Sequence, residues 1–175
     1  MFVKKALYLV SAVLLMAPVS AFAQSGNPYQ KGVREFTVVG SGSSDESFDN
    51  TALNTSLSIG QFFTDRLQGA IRQDISFSDI GSSNWNGSTR LVADYHFGSG
   101  RLVPLLGITL GYIYGDNVKE QFIAGPEAGL KFFMNSTTFV YGLIEYQFLF
   151  DDADDADDSF DDGRWVYGLG LGMTF

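Results

Sequence analysis

Hydrophobic and polar residues alternate along most of the chain, and the alternation is most regular at its end. Over Arg164–Phe175, every second residue from Trp165 onward is apolar or aromatic, and the residues between them are small or polar. A period of two puts the two sets on opposite faces of a β-strand. The pattern therefore predicts a strand that lies between lipid and a filled interior.

The same alternation predicts seven more strands. They are Arg34–Ser41, Leu53–Phe63, Arg66–Phe77, Thr89–Phe97, Arg101–Tyr114, Phe122–Phe133 and Thr138–Phe150. Short turns alternate with longer polar loops, which is typical of an up-and-down barrel with periplasmic termini and extracellular loops. An even strand number closes the sheet without an unpaired edge in hydrocarbon. We therefore predict an all-β protein, an eight-stranded antiparallel transmembrane β-barrel.

Charged residues within these segments fall on the polar face, with one exception. Arg34 lies on the apolar face, at a strand end where a long side chain can reach the interface. Because a charge facing mid-bilayer lipid costs about 2–4 kcal/mol, this segregation supports both the membrane prediction and the register. The inward-facing charges are predicted to be Glu35, Arg66, Arg72, Asp74, Arg90, Asp94, Glu127, Lys131, Glu145 and Arg164.

These charges allow three interpretations of the lumen. An eight-stranded barrel is only wide enough for its side chains to fill the interior, and pairing offsets the cost of burying a charge. We therefore predict a plug of salt bridges. The first alternative is a narrow ion or solute channel. The second, less favoured, is a lipid-modifying enzyme built on Asp94 and His96; we predict no enzyme, because the nearest serine to His96 is Ser99 in the following turn.

The first 23 residues predict a cleaved signal peptide. Lys4 and Lys5 precede an apolar run that is too short to cross a bilayer, since a spanning helix needs about 20 residues. Ala21-Phe22-Ala23 is a typical cleavage motif. We expect residues 1–23 to be removed and residues 24–175 to form one exported barrel domain.

The composition adds an acidic segment. The chain has a net charge of −9 and no cysteine, which makes nucleic acid an unfavourable partner and excludes disulfides. The segment Asp151–Asp162 reads DDADDADDSFDD, and such a run usually stays solvated. The alternative is a weak, irregular calcium site, or divalent ions shared with lipopolysaccharide; no other cofactor is predicted. Its candidate ligands are Asp151, Asp152, Asp154, Asp155, Asp157 and Asp158.

Residues 24–175 resemble the small outer-membrane barrel domains of the OmpA-like and OmpX-like family. The similarity is carried by the terminal GLGLGMTF, by the hairpins EAGLKFFMNSTTFVYGLIEYQF and LVADYHFGSGRLVPLLGITLGYIYG, and by the AFA-Q cleavage site. The resemblance implies an outer-membrane location among lipid and lipopolysaccharide, reached through periplasmic chaperones and the barrel assembly machinery. It also implies an assembly signal in the last strand, formed by Tyr167, Leu169, Leu171, Met173 and Phe175. We expect no peptidoglycan-binding domain after the barrel, and therefore a structural or surface-interaction protein rather than a cell-wall tether.

Overall fold

Eight antiparallel strands form the wall of a closed barrel in the computed structural model, which describes residues 28–44, 51–78, 84–98, 100–116, 118, 120–150 and 163–175. Each strand pairs with the next along the chain, and the last returns to the first. Within the described ranges, no helix is long and apolar enough to cross a membrane. The strands are β1 (Arg34–Ser44), β2 (Thr51–Phe62), β3 (Leu67–Ser78), β4 (Asn84–His96), β5 (Leu102–Gly115), β6 (Gln121–Phe133), β7 (Thr138–Phe150) and β8 (Gly163–Thr174). The predicted eight-stranded barrel is confirmed.

Most predicted strand ends lie within two residues of the observed ones, and β1 and β4 depart further. β1 continues to Ser44, which pairs with Thr51 on β2. β4 begins at Asn84 rather than Thr89, because Asn84–Ser88 pairs with the end of β3. That stretch is rich in turn-forming residues, so its sequence predicted a loop. Strand pairing overrides this local preference.

Large apolar side chains are exposed on the outer face of every strand. Ile108 on β5 is 65% exposed and Tyr167 on β8 is 83% exposed. Exposing so many large apolar side chains to water would be energetically unfavourable. The charges of the strand interiors lie on the opposite face, inside the barrel. Such a wall is suited to hydrocarbon on its outer side.

The three short turns are closed by polar side chains and by glycine. Asn135 Oδ1 accepts hydrogen bonds from the backbone N–H groups of Thr137 and Thr138, at 2.9 and 2.8 Å. Thr64 Oγ1 accepts one from the backbone N–H of Leu67 at 2.9 Å. Gly98 has a φ of 89°, a conformation that glycine adopts without steric cost. These turns lie at the same end of the barrel as Arg34 and Phe175, which we call the terminal end; the opposite end is the loop end.

The interior is layered along the barrel axis. At the terminal end, buried apolar side chains form one cluster. Above it lies a layer of buried charged and polar side chains that includes Arg72, Arg90, Glu127 and Glu145. The apolar cluster consists of Tyr29, Val33, Phe62, Val103, Phe133, Phe139 and Tyr141.

Candidate functional site

Arg72 and Glu127 form a bidentate ion pair across the lumen. Arg72 Nη1 lies 2.7 Å from Glu127 Oε2, and Nη2 lies 2.9 Å from Oε1. Both side chains are buried, and the pair connects β3 to β6. This geometry matches the fork of the guanidinium group to the two oxygens of a carboxylate, which makes the pair both strong and directional.

Glu145 is the central acceptor of the charged layer. It accepts a short hydrogen bond from Arg90 Nη1, one from Thr109 Oγ1 at 2.7 Å and one from Gln147 Nε2 at 3.1 Å. Arg90 also donates to Asp74 Oδ2, from Nη2 at 2.6 Å and from Nε at 2.9 Å. These five hydrogen bonds satisfy much of the hydrogen-bonding capacity of the buried Arg90 and Glu145 side chains, as burial of charge requires.

A second group of charges lies nearer the terminal end. Lys131 Nζ donates to both carboxylate oxygens of Glu35, at 2.7 and 2.8 Å, and lies 2.8 Å from His96 Nε2. Because an ammonium group only donates, Nε2 is the accepting nitrogen of the ring and Nδ1 carries the proton. Nδ1 faces the carbonyl oxygen of Arg66 at 3.3 Å. We refer to Arg72, Arg90, Lys131, Glu35, Asp74, Glu127 and Glu145 together as the lumen network.

Asp94 lies beside the lumen network with one oxygen unsatisfied. Its carboxyl contacts Glu127, and its Oδ1 has no hydrogen-bond partner among the described residues. Gly107 stands directly opposite on β5, and a Cβ there would overlap Asp94 Oδ1. Gly111 makes room for Arg90 in the same way. Two inward glycines of β5 thus create the space for two charges of β4.

One predicted member of the charge cluster lies elsewhere, and a second lies at its edge. The prediction for Arg66 is wrong: this residue is exposed in the turn before β3, and its Nη1 lies 3.4 Å from the Tyr95 hydroxyl on the outer wall. β3 begins only at Leu67, because Thr64 Oγ1 draws the N–H groups of Arg66 and Leu67 into the turn. Arg164 is exposed at the loop end but points into the lumen, where its Nε donates at 2.8 Å to Oε1 of the buried Gln147, which in turn donates to Glu145.

A segment before β1, which the sequence pattern did not reveal, closes the terminal end of the lumen. Tyr29 belongs to no strand of the wall, but its side chain is only 1% exposed. Its ring centroid is 5.6 Å from that of Phe62 and 5.4 Å from that of Phe133. Burial raises the pKa of the Tyr29 hydroxyl well above its usual value, and nearby Glu35 raises it further. In the sequence, Tyr29 stands alone before β1 and does not share the alternation of the strand, so the pattern gave no reason to place it in the lumen. We call residues 28–33 the floor segment.

Backbone bonds hold the floor segment in place. Gly32 N–H donates to the Phe62 carbonyl at 2.8 Å, and Phe62 N–H donates to the Val33 carbonyl at 2.9 Å. Gly32 has a φ of 93°, which turns the chain from the floor into β1. The Tyr29 ring also lies 5.6 Å from that of His96, which is fully buried. The lumen network is therefore covered by aromatic side chains on this side.

The remaining site predictions concern the last strand and the acidic segment. On β8, Tyr167, Leu169, Leu171 and Met173 point outward, and Phe175 pairs through its backbone with Arg34. The candidate calcium ligands Asp151, Asp152, Asp154, Asp155, Asp157 and Asp158 lie outside the described residues. In the part of the chain that is described, no group of three or more His, Asp or Glu side chains could hold a metal ion.

Comparison with solved structures finds the same barrel in outer-membrane proteins. The N-terminal β-barrel domain of Pseudomonas aeruginosa OprF is similar with a TM-score of 0.57 and 22% identity, over 83% of this chain and 98% of that one. P. aeruginosa OprG gives a TM-score of 0.55 and 12% identity, over 84% and 97%. Neisserial surface protein A gives 0.50 and 14%, over 81% and 94%. No protein-family model and no curated protein sequence matches the chain.

These similarities establish the architecture of a small outer-membrane barrel. The similarity spans 94–98% of the length of each of the three solved chains. It therefore extends over the complete barrel rather than one hairpin. At such identities the likeness concerns the fold alone, because one fold can carry many different functions.

Proposed function

We propose that this protein is an integral outer-membrane barrel with a structural or surface-interaction role, whose loops carry the functional surface and whose lumen is sealed. The observation that carries the proposal is a double closure of the lumen. The lumen network fills its middle with paired charges, and the floor segment covers its terminal end. A barrel closed in this way displays loops rather than passing solutes.

The location follows from the wall and the fold together. An apolar outer face and inward charges suit a bilayer, and two of the structurally similar barrels are named as an outer membrane protein, OprG, and a surface protein, NspA. Export through residues 1–23 and assembly by periplasmic chaperones and the barrel assembly machinery complete the proposal. The outward residues of β8, with Phe175, would be the assembly signal. The terminal end would face the periplasm, and the loop end the exterior with its lipopolysaccharide.

The geometry gives little support to catalysis at His96. The ring is fully buried, Lys131 occupies Nε2, and the floor segment covers it on the terminal side. A general base needs both a free nitrogen and access to substrate. The proposal therefore includes no catalytic role for His96, and the absence of an enzyme activity stays a prediction from sequence. Weak calcium binding by the acidic segment Asp151–Asp162 stays a prediction from sequence.

Single-channel recording in planar bilayers tests the proposal. We expect the refolded protein to insert without discrete, reproducible openings. The control is the same preparation after heating, which separates protein-dependent openings from detergent artefacts. Reproducible openings of the unheated protein alone would overturn the sealed lumen and favour the narrow channel.

A further inference from the structure

The wall has one incomplete seam. Seven of its strand pairs are joined over ten to twelve residue pairs each. Within the described ranges, the eighth, between β1 and β8, joins only five, from Glu35 opposite Thr174 to Val39 opposite Gly170, and two backbone hydrogen bonds between Arg34 and Phe175 continue it at the terminal end. Both strands continue toward the loop end beyond the last of these pairs.

Two free edges result in the described part of the wall. On β1 the edge comprises Gly40–Ser44, which pairs with β2 on its other side. On β8 the edge comprises Gly163–Leu169, which pairs with β7 on its other side. If the register continued, Gly40 would stand opposite Leu169 and Ser44 opposite Trp165. Among the described residues, the N–H and C=O groups that face the seam there have no strand partner.

The side chains explain why the seam ends where it does. Val39 packs toward the lumen against the small residues of β8: a Cβ on Gly168 would lie 2.9 Å from Val39 Cγ1, and one on Gly170 would lie 2.7 Å from Cγ2. Beyond Val39, the sequence of β1 is Gly-Ser-Gly-Ser-Ser, which brings no apolar side chain to pack across the seam. The seam therefore loses its packing at the point where it loses its hydrogen bonds.

The free edge of β8 lies partly at lipid depth. Leu169 and Tyr167 are 68% and 83% exposed on the apolar outer face. Hydrocarbon offers no hydrogen-bond donors or acceptors, so open sheet edges are not stable within it. Edge strands of this kind recruit another strand.

We infer that two copies of this chain pair through their open seams. A two-fold axis along the membrane normal keeps the direction of every strand relative to the membrane. β1 and β8 run in opposite directions, so the β1 edge of each copy meets the β8 edge of the other as an antiparallel pair. A foreign strand would complete one edge and leave the other open, whereas a second copy completes both edges of both molecules.

Disulfide trapping tests this dimer, and the chain has no cysteine of its own. In the variant Gly42→Cys/Tyr167→Cys, the two positions stand opposite each other in the continued register. The matched control is Val38→Cys/Leu171→Cys, a pair of the closed part of the same seam four residues nearer the terminal end. Both variants are refolded into lipid vesicles, oxidised mildly and separated on non-reducing gels, with the heat-dependent gel shift as the measure of folding.

The dimer predicts different products for the two variants. The control should form a disulfide within one chain and run as a monomer, while Gly42→Cys/Tyr167→Cys should run mainly as a covalent dimer. Mixing the single variants Gly42→Cys and Tyr167→Cys should give the same dimer, since only an interchain bond can join them. If the double variant does not fold, Ser44→Cys/Trp165→Cys takes its place.

Two results would overturn the inference. An intrachain disulfide in the outer pair would show that each seam closes on itself. No disulfide in the outer pair, with full reaction of the control, would show that the edges meet no second copy and that another strand or segment covers them.

Discussion

Replacing Glu145 by Gln keeps the shape of the side chain but removes the charge that faces two arginines in the lumen. Glu145 is 1% exposed, accepts from Arg90, and lies 3.6 Å from Arg72 Nη1. Removing one partner of a buried ion pair costs about 3–5 kcal/mol, because it leaves a buried charge uncompensated. We expect about 3 kcal/mol, the low end of that range, because Arg90 keeps Asp74 and Arg72 keeps Glu127.

The matched control is Glu120→Gln, the same chemical change on an exposed residue. Among the described residues, Glu120 accepts a 3.3 Å bond from the Tyr112 hydroxyl and no other side-chain bond, and exposed substitutions usually change stability by less than about 0.5 kcal/mol. The assay is equilibrium urea unfolding from lipid vesicles, followed by tryptophan fluorescence. Trp165 lies on the lipid-facing wall, so its emission reports the transfer of the wall from lipid to water. Equal, small effects of the two variants would refute the reasoning.

A double-mutant cycle separates the ion pair from other effects of the substitution. Arg90→Gln and Glu145→Gln are measured singly and together. If the two groups stabilise the barrel through each other, the double variant is less destabilised than the sum of the single variants, with a coupling energy of about 0.5–3 kcal/mol. A coupling energy of zero would show that the contact contributes nothing to stability.

Three further predictions follow from the interior and the wall. Gly107→Ala should lower stability by about 1–3 kcal/mol, as overpacking does, while Gly142→Ala, whose Cβ would meet only ordinary contacts at 3.9 Å and beyond, should leave the unfolding midpoint in urea nearly unchanged. Tyr29→Ala should open the floor and accelerate modification of His96, the only histidine, by diethyl pyrocarbonate in mass spectra; unchanged modification would contradict the closure. Ile108→Arg should cost about 2–4 kcal/mol in the vesicle unfolding assay because it faces hydrocarbon, whereas Ile108→Leu should cost less than about 1.5 kcal/mol; equal costs would argue against a lipid-facing wall.

The wall of this protein was predictable because its residues obey a strict local rule. Alternation in β8 and the confinement of charges to one face fixed which side of each strand faces lipid. Local preference failed where pairing decides: Asn84–Ser88 has the composition of a turn but is held by β3. The prediction that Arg66 faces the lumen was wrong for a related reason. The hydrogen bond from the Leu67 N–H to Thr64 Oγ1 extends the turn, so β3 begins one residue later than the alternation implies.

The interior was predictable as a set of charges but not as a network. Arg72 and Glu127 are 55 residues apart and meet across the barrel, and their pairing depends on the closure of the whole sheet rather than on any spacing in the sequence. The floor segment was missed because Tyr29 belongs to no strand and has no periodic neighbours. The two glycines beneath Asp94 and Arg90 were visible in the sequence, but their purpose depends on which β4 residues stand opposite them.

In the proposed barrel, two closures of the lumen are arranged in series, and ion leakage from vesicles tests this arrangement most directly. Wild type, Tyr29→Ala, Arg72→Ala, which removes the guanidinium group that reaches across the lumen to Glu127, and the double variant are refolded into vesicles loaded with a potassium-sensitive dye. Either closure alone blocks the path, so we predict negligible leakage for wild type and both single variants and clear leakage only for the double variant. Leakage through wild type, or equal leakage through one single variant and the double variant, would contradict the sealed barrel.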